Sequence, residues 1–352
     1  MTRLLFVAPG VAPPLTEGRK LFVTELAELL RQRGVDVEVL DAGGVSGIRG
    51  IARSLRDLRR SLGAADRVSA VFVFPYGTYT GLRAHANRLL VNRVNSLCET
   101  AGLFSRPVFY SCAGMAFEDF CARYRPGFAV GRAGDGMTAL CLGTSRELPH
   151  WSPVNGGPAK LLFLCGYQTA SRAALRNVLY ERGLIDVLRA GNALAGAGAN
   201  LTIAIPFLRN PMIRKRLSSM AGVLCPGLRI TMVDSGSPID LLANHDVFLF
   251  PYRARHAVFV PTSLLEAIQI GVPTLVADQA CYRALTTGAT AAGCCLHSAG
   301  DWHDLAGQFL RLKQDYAEVC RGARTAAATA RMTWTLSRSA DELLEAIPAL
   351  SQ

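Results

Sequence analysis

Short apolar runs alternate with amphipathic stretches of helical period along the whole chain, and this alternation constrains the fold more than any other feature. Leu4–Ala8 reads as a strand, and a loop, "PGVAPPLTEGRK", follows it. Leu21 to Gln32 then carries Leu21, Leu26, Leu29 and Leu30 at the spacing of one helix face. Gly34 closes that helix, and "VDVEVLD" (35–41) alternates as a half-buried strand does. A unit of this kind predicts parallel strands joined by right-handed crossovers. Further strands are expected at Ala70–Phe74, Pro107–Tyr110 and Ala139–Gly143, with helices near 48–62 and 81–100.

From His150 to Pro158 the text turns to "HWSPVNGGP", after which "AKLLFLCG" opens a second series. Its strands are expected at 160–165, 201–205, 228–233, 246–250 and 273–277. A chain of 352 residues exceeds one ordinary core and fits two α/β domains. The expected architecture is therefore two Rossmann-like, doubly wound parallel-sheet domains facing a central cleft, over 1–155 and 156–334.

Composition excludes several classes. No apolar run approaches the roughly 18–20 residues that span a bilayer, and the first apolar run is too short for a signal-peptide core, which predicts a cytoplasmic protein. The ten cysteines are scattered without C-x-x-C or Cys/His metal spacing, so reduced structural thiols are expected, with Cys294-Cys295 the one pair to check. A net charge of +11, carried mostly by Arg, suits anionic partners. Zinc-finger spacing and aromatic-basic RNA signatures are absent, so no nucleic-acid partner is expected. A G-x-G-x-x-G fingerprint is missing from both halves, which argues against a dehydrogenase.

The most informative stretch is "DVFLFPYRARHAVFVPTSLLEAIQIGVPTLVAD", 246–278. It reads as a buried strand ending at Pro251, a long loop, a helix from about Thr262, then Gly271 and another strand. Thr262 and Ser263 fall where a helix start exposes free N–H groups and the positive end of its dipole, a site ready for a diphosphate. Glu266, one turn in, is placed to accept from a ribose diol. It equally reads as a Glu balancing the dipole of a capped helix.

This segment resembles the donor-binding signature of the retaining glycosyltransferases of family 4, group 1, which have the GT-B fold. The resemblance rests on "LLEAIQIGVPTLVA", matching at Leu264, Leu265, Glu266, Ala267, Gly271, Pro273 and Ala277, and on "LLANHDVFLFPY", with Asp246 and Pro251 in place. "TARMTWTLSRSADELLEAI" is similar to the family's C-terminal helix, which implies that 335–352 crosses back onto the first domain. The resemblance implies that Glu266 holds the donor ribose. It further implies that amides at Thr262 and Ser263, between Pro261 and Leu264, meet the diphosphate. The base would lie near Val233 and Asp234, with Pro206 and Phe207 alongside. Gly18 matches a loop that closes over donor and acceptor, and a basic pair after the strand that ends at Gly166 would neutralise the leaving diphosphate.

The sequence departs from the family pattern at three places. Tyr167 replaces the Arg expected after Gly166, leaving Arg172, Arg176 and Arg182 as the nearest cations; Arg182 takes the place of the usual Lys in "ERGLIDVLRA", and Arg172 is its rival. The acidic residue expected eight positions before Glu266 is Val258, with Arg255 or His256 as substitutes. Ala113, beside Gly114, stands where the first domain often offers a His.

The reaction implied is front-side transfer of a hexosyl group from a UDP- or GDP-linked sugar, with the leaving diphosphate helping to deprotonate the acceptor. Domain closure would exclude water. No D-x-D-type pair stands out, so neither a metal nor a further cofactor is expected. A glycan or lipid-linked acceptor fits cell-envelope or secondary-metabolite assembly. Arg-bearing stretches 48–62 and 81–94 read as sheet-packing helices with solvated Arg, and also as a face for anionic membrane. Two rival classes stay open. One is an epimerase or inverting transferase on the same fold, with Glu17, Glu118 and Asp119 as candidate bases. The other is a degenerate, non-catalytic subunit, suggested by Val258 and Ala113.

Overall fold

A computed structural model describes residues 3–8, 11, 18–41, 56, 60, 68–75, 81–109, 128–130, 138–140, 147–153, 157–166, 170–253, 261–279 and 282–347. The chain divides into two compact units, Met1–Arg146 with Arg255–Pro261 and Thr333–Gln352, and Glu147–Ala254 with Thr262–Met332. Each unit holds one six-stranded sheet with every strand parallel to its neighbours.

In the first unit the strands are β1 (Arg3–Val7), β2 (Asp36–Leu40), β3 (Val68–Val73), β4 (Phe104–Phe109), β5 (Phe128–Val130) and β6 (Thr138–Leu140), in the order β2-β1-β3-β4-β5-β6. Helix α1 (Gly18–Gln32) buries Phe22, Val23, Leu26, Ala27 and Leu30. Leu21 and Leu29, expected on the same face as Leu26 and Leu30, are only half-buried, because the packed face is centred on Phe22, Leu26 and Leu30. Gly34, at φ +81°, turns the chain out of that helix, and Val35 N donates to Leu30 O at 3.0 Å. Phe6 packs edge-on against Phe72 at 5.9 Å in the core between β1 and β3. Helix α2 (Gly81–Thr100) buries Leu90, Val91, Val94 and Cys98 and exposes Arg88 and Arg93.

In the second unit β7 (Lys160–Leu164), β8 (Asn200–Ala204), β9 (Arg229–Val233), β10 (Val247–Phe250), β11 (Thr274–Ala277) and β12 (Cys294–His297) run in the order β12-β11-β10-β7-β8-β9. β7 and β10, central and apolar, are buried almost throughout, as a sheet covered on both faces requires. The helices are α3 (Arg172–Arg176), α4 (Leu184–Gly196), α5 (Pro211–Leu224), α6 (Pro238–Ala243), α7 (Thr262–Ile270), α8 (Arg283–Thr286), α9 (Trp302–Gln314) and α10 (Tyr316–Thr333). α11 (Leu336–Glu345) follows Trp334 and belongs to the first unit, where it packs on α1 and Arg33 pairs with Asp341 at 2.6 Å.

Two strands escape the sequence reading, β5 and β12. The expected domain break lies in the Pro/Gly stretch, whereas the second unit already begins at Glu147. The reason is Trp151: its indole donates to His245 O at 2.7 Å and its backbone N–H to Ile270 O at 3.2 Å, so the chain has joined the second core before the break. Of 48–62 only Arg56 and Arg60 are described, both helical and exposed. No described helix is long and apolar enough to cross a membrane.

Candidate functional site

From β7 the chain of the second unit moves one way to β8 and β9, then returns on the other side as β10, β11 and β12. β7 and β10 therefore flank a topological switch point, and ligands of such sheets bind outside the carboxyl ends of the strands there. The residues that leave those ends are Cys165 and Gly166 after β7, Ile205 and Pro206 after β8, Asp234 after β9, and Pro251 to Arg253 after β10. All but two of the described site residues expected from the sequence sit on this edge or on the segments it feeds. The exceptions, both in the first unit, are Gly18, the first residue of α1, and Pro261, the last residue before α7.

Pro206 opens a short 3₁₀ turn, and Arg209 Nε donates back to its carbonyl at 3.0 Å. Ile205 N donates to Val233 O at 2.9 Å, so the exits of β8 and β9 stay side by side. Asp234 lies 3.8 Å from the Arg214 guanidinium, which also donates to Met232 O. Pro261 precedes α7, whose first residues Thr262 and Ser263 are half-buried. One turn on, Glu266 is 7 % exposed between the fully buried Leu264, Leu265 and Ala267.

The two rival cations have different surroundings. Arg172 is exposed and starts α3, where Ser171 Oγ caps the helix by accepting from Ala174 N at 3.0 Å. Arg182 is half-buried, with its guanidinium 4.5 Å over the ring of Tyr252. Tyr252 in turn stacks on Phe250 and donates its hydroxyl to Leu164 O at 3.1 Å. Burial pushes the Tyr252 phenol well above its ordinary range, which keeps that donor protonated.

Tyr252, Arg253 and Asp186 were not identified from the sequence as site residues. Asp186, in the first turn of α4, is wholly buried and takes both guanidinium branches of Arg253, Nε at 2.6 Å and Nη2 on the other oxygen. The only sequence signal for this pair is a carboxylate on the apolar side of a helix.

Asp246, aligned by the resemblance, has a structural place. It is 1 % exposed at the amino end of β10, and its Oδ2 accepts from Ala159 N at 2.9 Å and Lys160 N at 2.7 Å. Cys98, Cys165, Cys225, Cys294, Cys295 and Cys320 are free thiols, and burial pushes Cys294 up to about 12 and Cys295 up to about 11. No three His, Cys, Asp or Glu among the described residues gather as metal ligands would. Glu17, Ala113, Gly114, Glu118, Asp119, Tyr167, Arg255, His256 and Val258 lie outside the described residues.

No protein-family profile matches the chain, and no curated protein does. Solved structures do. A glycosyltransferase from Rickettsia africae superposes with a TM-score of 0.66 at 11 % identity, over 99 % of this chain and 98 % of the other. Sucrose-phosphate synthase from Thermosynechococcus elongatus gives 0.67 at 13 %, over 97 % of each. Anabaena HepE in complex with UDP gives 0.64 at 13 %, over 99 % of this chain and all of the other. The fold is that of the GT-B glycosyltransferases.

Proposed function

We propose that the chain is a retaining glycosyltransferase of the family-4 type, moving a hexosyl group from a UDP- or GDP-linked sugar to an acceptor hydroxyl. The observation that carries this reading is the start of α7, with Thr262 and Ser263 at the helix terminus and the buried Glu266 one turn in. A helix start supplies N–H donors and a positive dipole end to a diphosphate, and a carboxylate one turn on is placed for a ribose diol. Val233, Asp234 and Pro206 would flank the base, while Arg182 or its rival Arg172 would offset charge on the departing diphosphate. Structures of the same fold contain UDP or UDP-glucose, which supports a nucleotide-sugar donor. In this reading the chain's own groups and the leaving diphosphate carry the transfer, without a metal.

The acceptor proposed is a glycan or lipid-linked sugar of cell-envelope or secondary-metabolite assembly, reached from the cytoplasmic side. Exposed Arg88 and Arg93 on α2, on either flank of its buried apolar face, support a peripheral approach to anionic lipid. Calorimetric titration with UDP, GDP, ADP and dTDP tests the donor site. One of them should bind the full chain, and Glu266→Ala should weaken that binding about tenfold or more, the loss expected when charge-assisted hydrogen bonds go. Undiminished affinity in the Glu266→Ala variant would sink the assignment. Binding of none of the four would favour a non-catalytic subunit.

A further inference from the structure

The exit of β10 is fastened to the turn before α4 at four points. Gly183, at φ +71°, lets the backbone of Pro251 approach so closely that a Cβ there would lie 2.0 Å from Pro251 O. The Arg182 guanidinium covers the Tyr252 ring. Arg253 N donates to Glu181 O at 2.8 Å. The Arg253 side chain is held in both branches by the buried carboxylate of Asp186, and Nη2 also reaches Gly300 O at 3.5 Å in the loop between β12 and α9.

Stability alone is a poor reason for this arrangement. A buried ion pair spends much of its attraction on desolvation, and an apolar pair of the same volume would hold two segments together as well. A bidentate guanidinium–carboxylate pair adds what an apolar contact lacks, a fixed distance and plane. What it fixes is chemically pointed. Asp186 lies four residues after Arg182, and Arg253 directly follows Tyr252, the ring on which Arg182 rests. The pair thus sets the spacing between the two segments that hold the Arg182 guanidinium at the switch point.

We infer that Asp186 and Arg253 are positioning residues, acting through Arg182 on the second phosphate of a nucleoside diphosphate. This rests on the donor-site reading above and goes further, because it selects Arg182 over Arg172 and names what holds it.

The test is the ratio of diphosphate to monophosphate affinity, UDP against UMP and GDP against GMP, titrated into the full chain. Asp186→Asn leaves Arg253 without its counter-charge, and Arg253→Lys keeps the charge but not the fork, so the second variant serves if the first does not fold. In either, the diphosphate preference should fall about tenfold or more while monophosphate affinity holds, since losing a charge-assisted hydrogen bond to the second phosphate costs about that factor. In an Arg182→Ala background Asp186→Asn should have no further effect on the ratio. A preserved ratio in the single variants, additive effects in the double variant, or equal losses of mono- and diphosphate binding would each overturn the inference and leave the donor site standing. A wild-type chain with no diphosphate preference would overturn both, and that failure shows in the wild type alone.

Discussion

Replacing Asp246 by alanine separates a residue that holds the sheet from one that holds a ligand. Its carboxylate is 1 % exposed and accepts from two backbone N–H groups, Ala159 and Lys160, at the entry to β7. Asp246 N answers by donating to Lys160 O at 2.8 Å, so the entries of the two central strands are tied in both directions. Hydrogen bonds to a charged acceptor contribute about 1.5–3 kcal/mol each. Losing two gives an upper figure of about 3–6 kcal/mol, and water entering the vacated space reduces it to about 2–4 kcal/mol. For a domain of this size each kcal/mol moves Tm by about 2–4 °C, so a drop of about 5–15 °C is expected in thermal unfolding. Asp246→Asn keeps an acceptor oxygen in place and should lose less. Nucleotide affinity, measured below the transition, should be unchanged, because the length of β10, about 13 Å, separates this carboxylate from the carboxyl-edge loops. A variant of wild-type stability that had lost nucleotide binding would refute the reasoning.

Three further outcomes follow from the packing. Gly322→Ala should destabilise by at least about 1–3 kcal/mol in denaturant titration, although Ala is the better helix former by about 1 kcal/mol, because the new Cβ would lie 2.1 Å from Ala292 O. Burial holds both His245 and His297 below the ordinary pKa of 6.5. The unfolded chain therefore binds protons first on acidification, and the stability these rings contribute is full above about pH 6.5 and is lost as pH falls through their folded values. Urea titrations at pH 7.5 and 5.5 should show the decline, and equal stability at both would contradict it. With Cys294 and Cys295 pushed up to about 12 and about 11, iodoacetamide at pH 7.5 should leave both unmodified in the native chain, as peptide mass spectrometry would record.

The elements that the sequence makes legible are those with enough length to display a period. α1, α2 and the strands from β7 to β11 fall close to where hydrophobic spacing puts them, because a buried face repeats its demand every two or three to four residues. β5 spans three residues and β12 reads Cys-Cys-Leu-His, too little pattern to stand out from a loop. The start of α7 is legible for another reason: the helix start, its carboxylate and its closing glycine all lie within ten residues of one another, Thr262 to Gly271.

The sequence by itself determined the α/β class, the two series of strands and the segment on which a nucleotide-sugar site is proposed. All of these depend on neighbours along the chain. The tertiary structure decided the strand order that makes β7 and β10 flank the switch point, the bonds from Asp246 to the backbone of Ala159 and Lys160, and the partner of Asp186. Arg253 is 67 residues from Asp186, and periodicity carries no information about which distant charge will face a buried carboxylate. That choice is made only when crossovers bring the ends of separate strands to one edge and the packed interior admits one pairing.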